Sequence, residues 1–220
     1  MTTMARDVIA RTALATLAVL LVAGCGGGGA KPGAKTGPDA PAEPIRVEAA
    51  RWLPGENDTV FAYKTEDLVA KTKGVFMLKV RRIGADRVDL IGPKRTEHLV
   101  YKADGIVREL EATYLLRTPV QTGLTWPGGP NASNKIGRTG FSVKVEAGEF
   151  DRCIEVIETR TGGIQGTITT TFCADVGIVS IETRGQSGDA EVHERVELRS
   201  FQKAVDLGPP GVTKTQVNPQ

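Results

Sequence analysis

The sequence is poor in the residues on which catalysis and nucleic-acid binding are commonly built. Its 220 residues include two histidines and three cysteines, and aromatic residues make up 5% of the chain. His98 and His193 stand far apart and belong to no metal-spaced cluster. So few rings make no stacking platform for bases or sugars. Neither sign of charge dominates: 28 basic against 26 acidic residues leave a formal net charge of +2. Nucleic acid is therefore excluded as the main partner, because phosphate binding needs a concentrated basic surface. There is no Cys-x-x-Cys pair, no phosphate loop and no dinucleotide fingerprint, so no cofactor is implied. Ser142, Ser180, Ser187 and Ser200 lack a nucleophile-elbow context. No apolar run reaches the ~18 residues of a membrane-spanning helix.

What is present begins with an address. Residues 1–11 carry Arg6, Asp7 and Arg11, and residues 12–23, TALATLAVLLVA, carry no charge. A dozen helical residues rise about 18 Å, short of a ~30 Å hydrocarbon core, so residues 1–24 read as a signal peptide. Val22-Ala23-Gly24-Cys25 follows: an aliphatic residue, two small residues and a cysteine. This stretch resembles the bacterial lipoprotein box. The resemblance implies that Cys25 becomes the acylated first residue of the processed chain, since a thiolate can accept the lipid. Two or more acyl chains convert marginal membrane binding into stable anchoring. By the sorting habit of such proteins, Gly26 in place of aspartate implies the outer membrane, with the protein facing the periplasm or the surface. Residues 26–44, GGGGAKPGAKTGPDAPAEP, offer almost nothing to bury and read as a flexible tether with a reach of roughly 20–25 Å.

From residue 45 to about 204 the pattern changes to short alternating runs. Phe76, Leu78 and Val80 alternate with Met77, Lys79 and Arg81; Phe141, Val143 and Val145 alternate with Ser142, Lys144 and Glu146. Val192, Val196 and Leu198 oppose His193, Arg195, Glu197 and Arg199. Period two with one polar face is the signature of an antiparallel sheet wet on one side. The runs 46–51, 58–65, 74–83, 86–92, 97–102, 105–110, 141–147, 151–160, 166–174, 177–184 and 190–201 read as strands, with a short helix at 66–71. The expected fold is all-β: an antiparallel meander of about eight to eleven strands, forming a half-barrel, sandwich or open barrel. Residues 205–220, with Pro209, Pro210 and Pro219, read as a loose tail.

The remaining two cysteines give a sharp local expectation. If 151–160 and 166–174 form a hairpin about Gly162-Gly163, opposed residue numbers sum to a constant. Cys153 then faces Cys173, Ile154 faces Phe172, Val156 faces Thr170 and Ile157 faces Thr169, pairing apolar and β-branched partners on both faces. Directly opposed cysteines fall within bonding range, so a structural Cys153–Cys173 bridge is expected in an oxidising compartment.

Three further segments stand out. They are Leu115-Leu116-x-x-Pro119-x-x-x-Gly123-x-x-Trp126, then Val143-x-Val145-x-Ala147-Gly148-x-Phe150-x-x-Cys153-x-x-Val156, then Ala174-Asp175-Val176-Gly177-Ile178-Val179. The pattern resembles a family of uncharacterised bacterial envelope lipoproteins. That family commonly carries an aromatic residue near position 173, and the cysteine here fits a bridge to Cys153. The same residues also have structural explanations: Trp126 as a plug at one end of the sheet, and the glycine-containing stretches as turns.

Taken together, these readings give a lipid-anchored, non-catalytic all-β domain that binds or helps to assemble the envelope, its partner an envelope protein or an apolar ligand met by a concave face or an edge strand. One alternative is a carrier or chaperone of lipid or lipoprotein, with an apolar cavity lined by Phe141, Val143, Phe172 and Leu198. A second is a hydrolase pairing two carboxylates from Asp151, Glu155, Glu158, Asp175 and Glu182.

Overall fold

The computed structural model describes residues 47–203. Cys25, the leader, the tether and the tail beyond residue 203 lie outside the described residues. A 3₁₀ turn, Glu48–Arg51, is followed by twelve strands. They are β1 Val60–Asp67, β2 Thr72–Arg82, β3 Arg87–Ile91, β4 Thr96–Lys102, β5 Gly105–Arg108 and β6 Thr113–Arg117, then β7 Thr125–Gly129, β8 Ala132–Val145, β9 Gly148–Arg160, β10 Gln165–Cys173, β11 Gly177–Ser187 and β12 Ala190–Gln202. All pair antiparallel in one sheet of order β6-β5-β4-β3-β2-β1-β12-β11-β10-β9-β8-β7. Every strand lies beside its sequence neighbour except β6 and β7, the two sheet edges. The meander returns on itself through the β1–β12 pair.

The sheet curls until those edges meet, leaving a nearly closed barrel. No ladder joins β6 to β7. The Trp126 indole spans the seam, its Nε1 donating to the Tyr114 carbonyl at 3.0 Å. Trp126 is only 3% exposed. It is thus a clasp between sheet edges rather than a plug at a sheet end.

Alternation decides which residues face inward. Thr65, Val196, Ile181, Thr170, Val156 and Ile136 stand in one line across six strands. Phe172, Leu99, Ile106, Leu116, Ile154, Leu198 and Val80 fill the centre. One end of the barrel is capped by the segment that precedes β1. Ala49, Trp52 and Leu53 belong to the core, the Tyr101 hydroxyl donates to the Leu53 carbonyl, and Asp175 N donates to Arg51 O at 2.7 Å. Burial of the Tyr63 and Tyr101 hydroxyls pushes both phenols up from their ordinary pKa. Gly166 and Gly185 are opposed in β10 and β11; a side chain on either would meet the backbone of the other strand, so only glycine permits this close approach.

Several expectations are corrected. Within the run expected as a strand at 46–51, the described residues 47–51 form no strand: Glu48–Arg51 is the 3₁₀ turn, because Ala49 and the Trp52-Leu53 pair serve the cap rather than a sheet face. The helix expected at 66–71 is absent: β1 continues to Asp67, whose Oδ1 then accepts from Val69 N at 3.0 Å and Ala70 N at 2.8 Å and closes a turn. The strand count rises to twelve because β6, β7 and the first half of β8 carry weak signals. Pro127, Gly128 and Gly129 read as a break, although Pro is tolerated on an edge strand.

Candidate functional site

The outer face of β8–β12 carries a network of polar and charged side chains. Glu66, Arg195, Glu182, Thr169, Ile157 and Lys135 form one line across it, offset by one residue from the inward line. The far end of the β8–β9 hairpin folds back over this face. Register shifts interrupt β8 between Ile136 and Val143, and Arg152 in β9 has φ +55°; irregularities of this kind bend a hairpin and re-aim its side chains. The hairpin tip reaches β12, where Ala147 N donates to Leu198 O at 3.2 Å and Arg199 Nε donates to Glu146 at 2.9 Å.

Between hairpin and sheet runs an open groove of about 240 Å³. Arg138, Phe141 and Val143 form its hairpin side; Glu155, Thr169, Thr171, Ser180, Glu182, Arg195 and Glu197 form its floor. The Arg138 guanidinium lies 4.2 Å from the centre of the Phe141 ring and also bonds Glu155 at 3.0 Å. Glu182 is the hub: Arg184 lies at 2.8 Å, His193 Nε2 donates at 2.9 Å, and Arg195 lies at 3.5 Å. Burial alone would raise the Glu182 carboxyl, but hydrogen bonds from His193 and Arg184 and the charges of Arg184 and Arg195 outweigh it and hold its pKa at about 2. Glu197 pairs with Lys64 at 2.8 Å, and this bond raises the lysine. Every carboxylate in the groove thus has a cation beside it.

The five carboxylates expected to share a cleft are dispersed. Glu155 and Glu182 do share the groove. Glu158 lies on the opposite face, buried beside Arg160 and 4.0 Å from Arg108. Asp151 accepts from Ser142 at 2.6 Å on the hairpin. Asp175 pairs with Arg152 at the capped end. Of the four residues expected to line one apolar cavity, Phe172 and Leu198 are wholly buried in the core, and Phe141 and Val143 pack half-buried against that core while also flanking the outer groove. His98 bonds Asp89 at 2.7 Å, and Arg81 bonds the same carboxylate at 2.6 Å. Burial works to raise Asp89, and these two partners lower it overall. Ser187 and Ser200 are exposed, while Ser180 lines the groove. Among the described residues no group of three histidine, cysteine or acidic side chains could hold a metal ion. Cys153 and Cys173 are directly opposed, with Cα atoms 4.0 Å apart, and are joined by a disulfide.

Of the groove residues, sequence reasoning missed Thr171 and, above all, Arg138. Its stretch, Lys135-Ile-Gly-Arg-Thr-Gly140, has no regular alternation, because the β8 shifts break the period there.

No family model matches the sequence, and no curated protein matches it. Among solved structures, a protein described as exported and of YmcC-like fold, from Bacteroides fragilis, is 11% identical with a TM-score of 0.43, covering 69% of this chain and 99% of its own. A protein described as a lipoprotein, from Parabacteroides distasonis, is 12% identical with a TM-score of 0.38, covering 69% of this chain and 98% of its own. Likeness of this degree assigns neither family nor activity to the chain.

Proposed function

We propose that the chain is a lipid-anchored envelope protein, acylated at Cys25 and held at the outer membrane, whose barrel binds or assembles rather than catalyses. The observation that carries the non-catalytic part is the charge balance of the groove. A carboxylate-dependent hydrolase needs one carboxyl with a raised pKa to serve as general acid beside the ionised one. Glu182 instead sits at about 2 between three basic side chains, and Glu155 and Glu197 are each paired. Alternating charges with the hydroxyls of Thr169, Thr171 and Ser180 suit recognition of a polar partner of low net charge. The complete burial of Phe172 and Leu198, with Phe141 and Val143 packed against the same core, argues against an open apolar cavity of the kind the carrier reading needs.

The anchoring part rests on the Val22–Cys25 motif and the tether that follows it. Intact-mass measurement of the protein made in a bacterial host is expected to find residues 1–24 removed and an acylated amino-terminal cysteine. Cys25→Ser should release the chain from the membrane fraction. An unmodified thiol at Cys25 would refute the anchor. A hydrolytic activity abolished by Glu155→Gln or Glu182→Gln would refute the non-catalytic reading.

A further inference from the structure

Four of the five strongly exposed large hydrophobic residues among the described residues lie along one strand and its two turns. They are Val69, Val75, Met77 and Ile83; the fifth is Leu110. Val75 and Met77 are 58% and 62% exposed and share the outward face of β2 with Lys73, Lys79 and Arg81. One side of β2 is paired with β1 along Thr72–Lys79. On its other side β3 pairs only with Lys79–Arg82. Beyond Ile91 the chain turns away through Gly92-Pro93, with Gly92 N donating to Arg95 O at 3.0 Å. Thr72–Leu78 therefore presents a strand edge with no partner among the described residues.

Natural sheets blunt such edges with proline, charged side chains, inward-pointing charge or very short strands, and here Lys73 and Lys79 stand only at the two ends of the stretch. This edge carries none of these over Gly74-Val75-Phe76-Met77-Leu78, and its inward residues Phe76 and Leu78 are themselves only half-buried. An unpaired ladder of backbone donors and acceptors is satisfied by another strand, which a lipid surface cannot provide. The charge around the edge is cationic. Lys71 lies at its start, and Lys94 and Arg95 lie in the turn that leaves it free; none of these three makes an ion pair among the described residues, whereas Lys73 is paired with Glu66 at 3.3 Å.

We propose that the Thr72–Leu78 edge of β2 is a docking site for an extended segment of another protein, added as a strand. The segment has apolar side chains on both faces, no proline in its centre and acidic residues at its ends. This surface is distinct from the groove and does not depend on acylation of Cys25, so the two readings can fail separately.

The test uses the full-length chain in detergent and a synthetic peptide, Glu-Val-Thr-Val-Ile-Val-Glu. One of the peptide's edges is N-methylated at alternate residues to prevent self-assembly. Hydrogen exchange is expected to slow at least tenfold within Thr72–Leu78, and not at Leu110, on titration with this peptide. Val75→Lys with Met77→Lys, both at exposed positions, should abolish the protection while leaving exchange in the core unchanged. Replacing the terminal glutamates of the peptide by lysine should weaken binding, increasingly so at low salt. Protection that is absent, or that survives the double substitution, overturns the proposal. Protection that rises with protein concentration alone overturns it in favour of a second copy of this chain. Protection that appears only with lipid vesicles overturns it in favour of a membrane.

Discussion

The barrel has a tall wall and a low one, and the two are held together differently. Strands β8, β9, β11 and β12 run for 14, 13, 11 and 13 residues, whereas β3 to β7 run for 5, 7, 4, 5 and 5. The tall wall is a long ladder, interrupted by the shifts in β8 and at Thr171/Phe172, crossed by the disulfide and laced on its outer face by ion pairs. The low wall has few ladder bonds, and single side chains finish it: Trp126 across the seam, Tyr101 onto the cap, and Asp104 between Tyr114 and Arg117. A regular ladder spreads its stabilisation over many equivalent bonds, whereas a short wall concentrates it in a few residues. The tall wall also leaves β2 standing above β3, which creates the unpaired edge.

This contrast is testable, beginning where the effect is largest. Trp126→Ala should destabilise the domain by about 3–5 kcal/mol in chemical denaturation, since it removes a buried ring and opens the seam. Trp126→Phe, which keeps most of the ring but leaves the Tyr114 carbonyl unpaired, should cost about 1–2 kcal/mol. Next comes the tall wall's staple: replacing Cys153 and Cys173 together by alanine should cost about 3 kcal/mol on the chain-entropy account. A larger loss from the disulfide than from Trp126→Ala would reverse the comparison. Tyr101→Phe should cost about 1 kcal/mol through the unpaired Leu53 carbonyl, with the far end of the barrel unaffected in hydrogen exchange.

The last test concerns Glu182, where the signature is its pH dependence. Its folded pKa of about 2 lies below the ordinary ~4.3 of an unfolded glutamate. Its stabilisation is therefore complete above about pH 5 and is lost as pH falls from ~4.3 towards 2, where the unfolded chain binds the proton first. Glu182→Gln should flatten the stability profile across that window. A profile of unchanged slope would show that the ion network on the tall wall contributes nothing measurable.

Legibility in the sequence follows the same division. In β9 to β12 of the tall wall the alternation is regular over most of each strand, with a shift near Thr171 and Phe172 and a kink at Arg152, so most strand positions, inward faces and the Cys153–Cys173 register could be read directly. In the low wall, Pro127, Gly128 and Gly129 carry turn chemistry inside a strand, because an edge beside an unpaired seam tolerates it. The groove was half legible. Glu155, Ser180, Glu182, Arg195 and Glu197 were recognisable as residues of a wet face, but their gathering beneath Arg138 and Phe141 depends on the bend in β8. The cap was not legible: Ala49 and Trp52-Leu53 resemble any short apolar run until the open end of a barrel is there to receive them.

The sequence alone determined what is local: the two-residue period that makes strands, the faces each strand presents, the hairpin symmetry that opposes two cysteines, and the chemical motif around Cys25. Tertiary structure alone decided that β1 joins β12, that Trp126 bridges the remaining edges, that the β8–β9 hairpin folds over the outer face, and that β2 outreaches β3. Each of those depends on contacts between residues distant in the chain, whose positions follow from how twelve twisted strands close, and twist and closure leave no period in a sequence to be read.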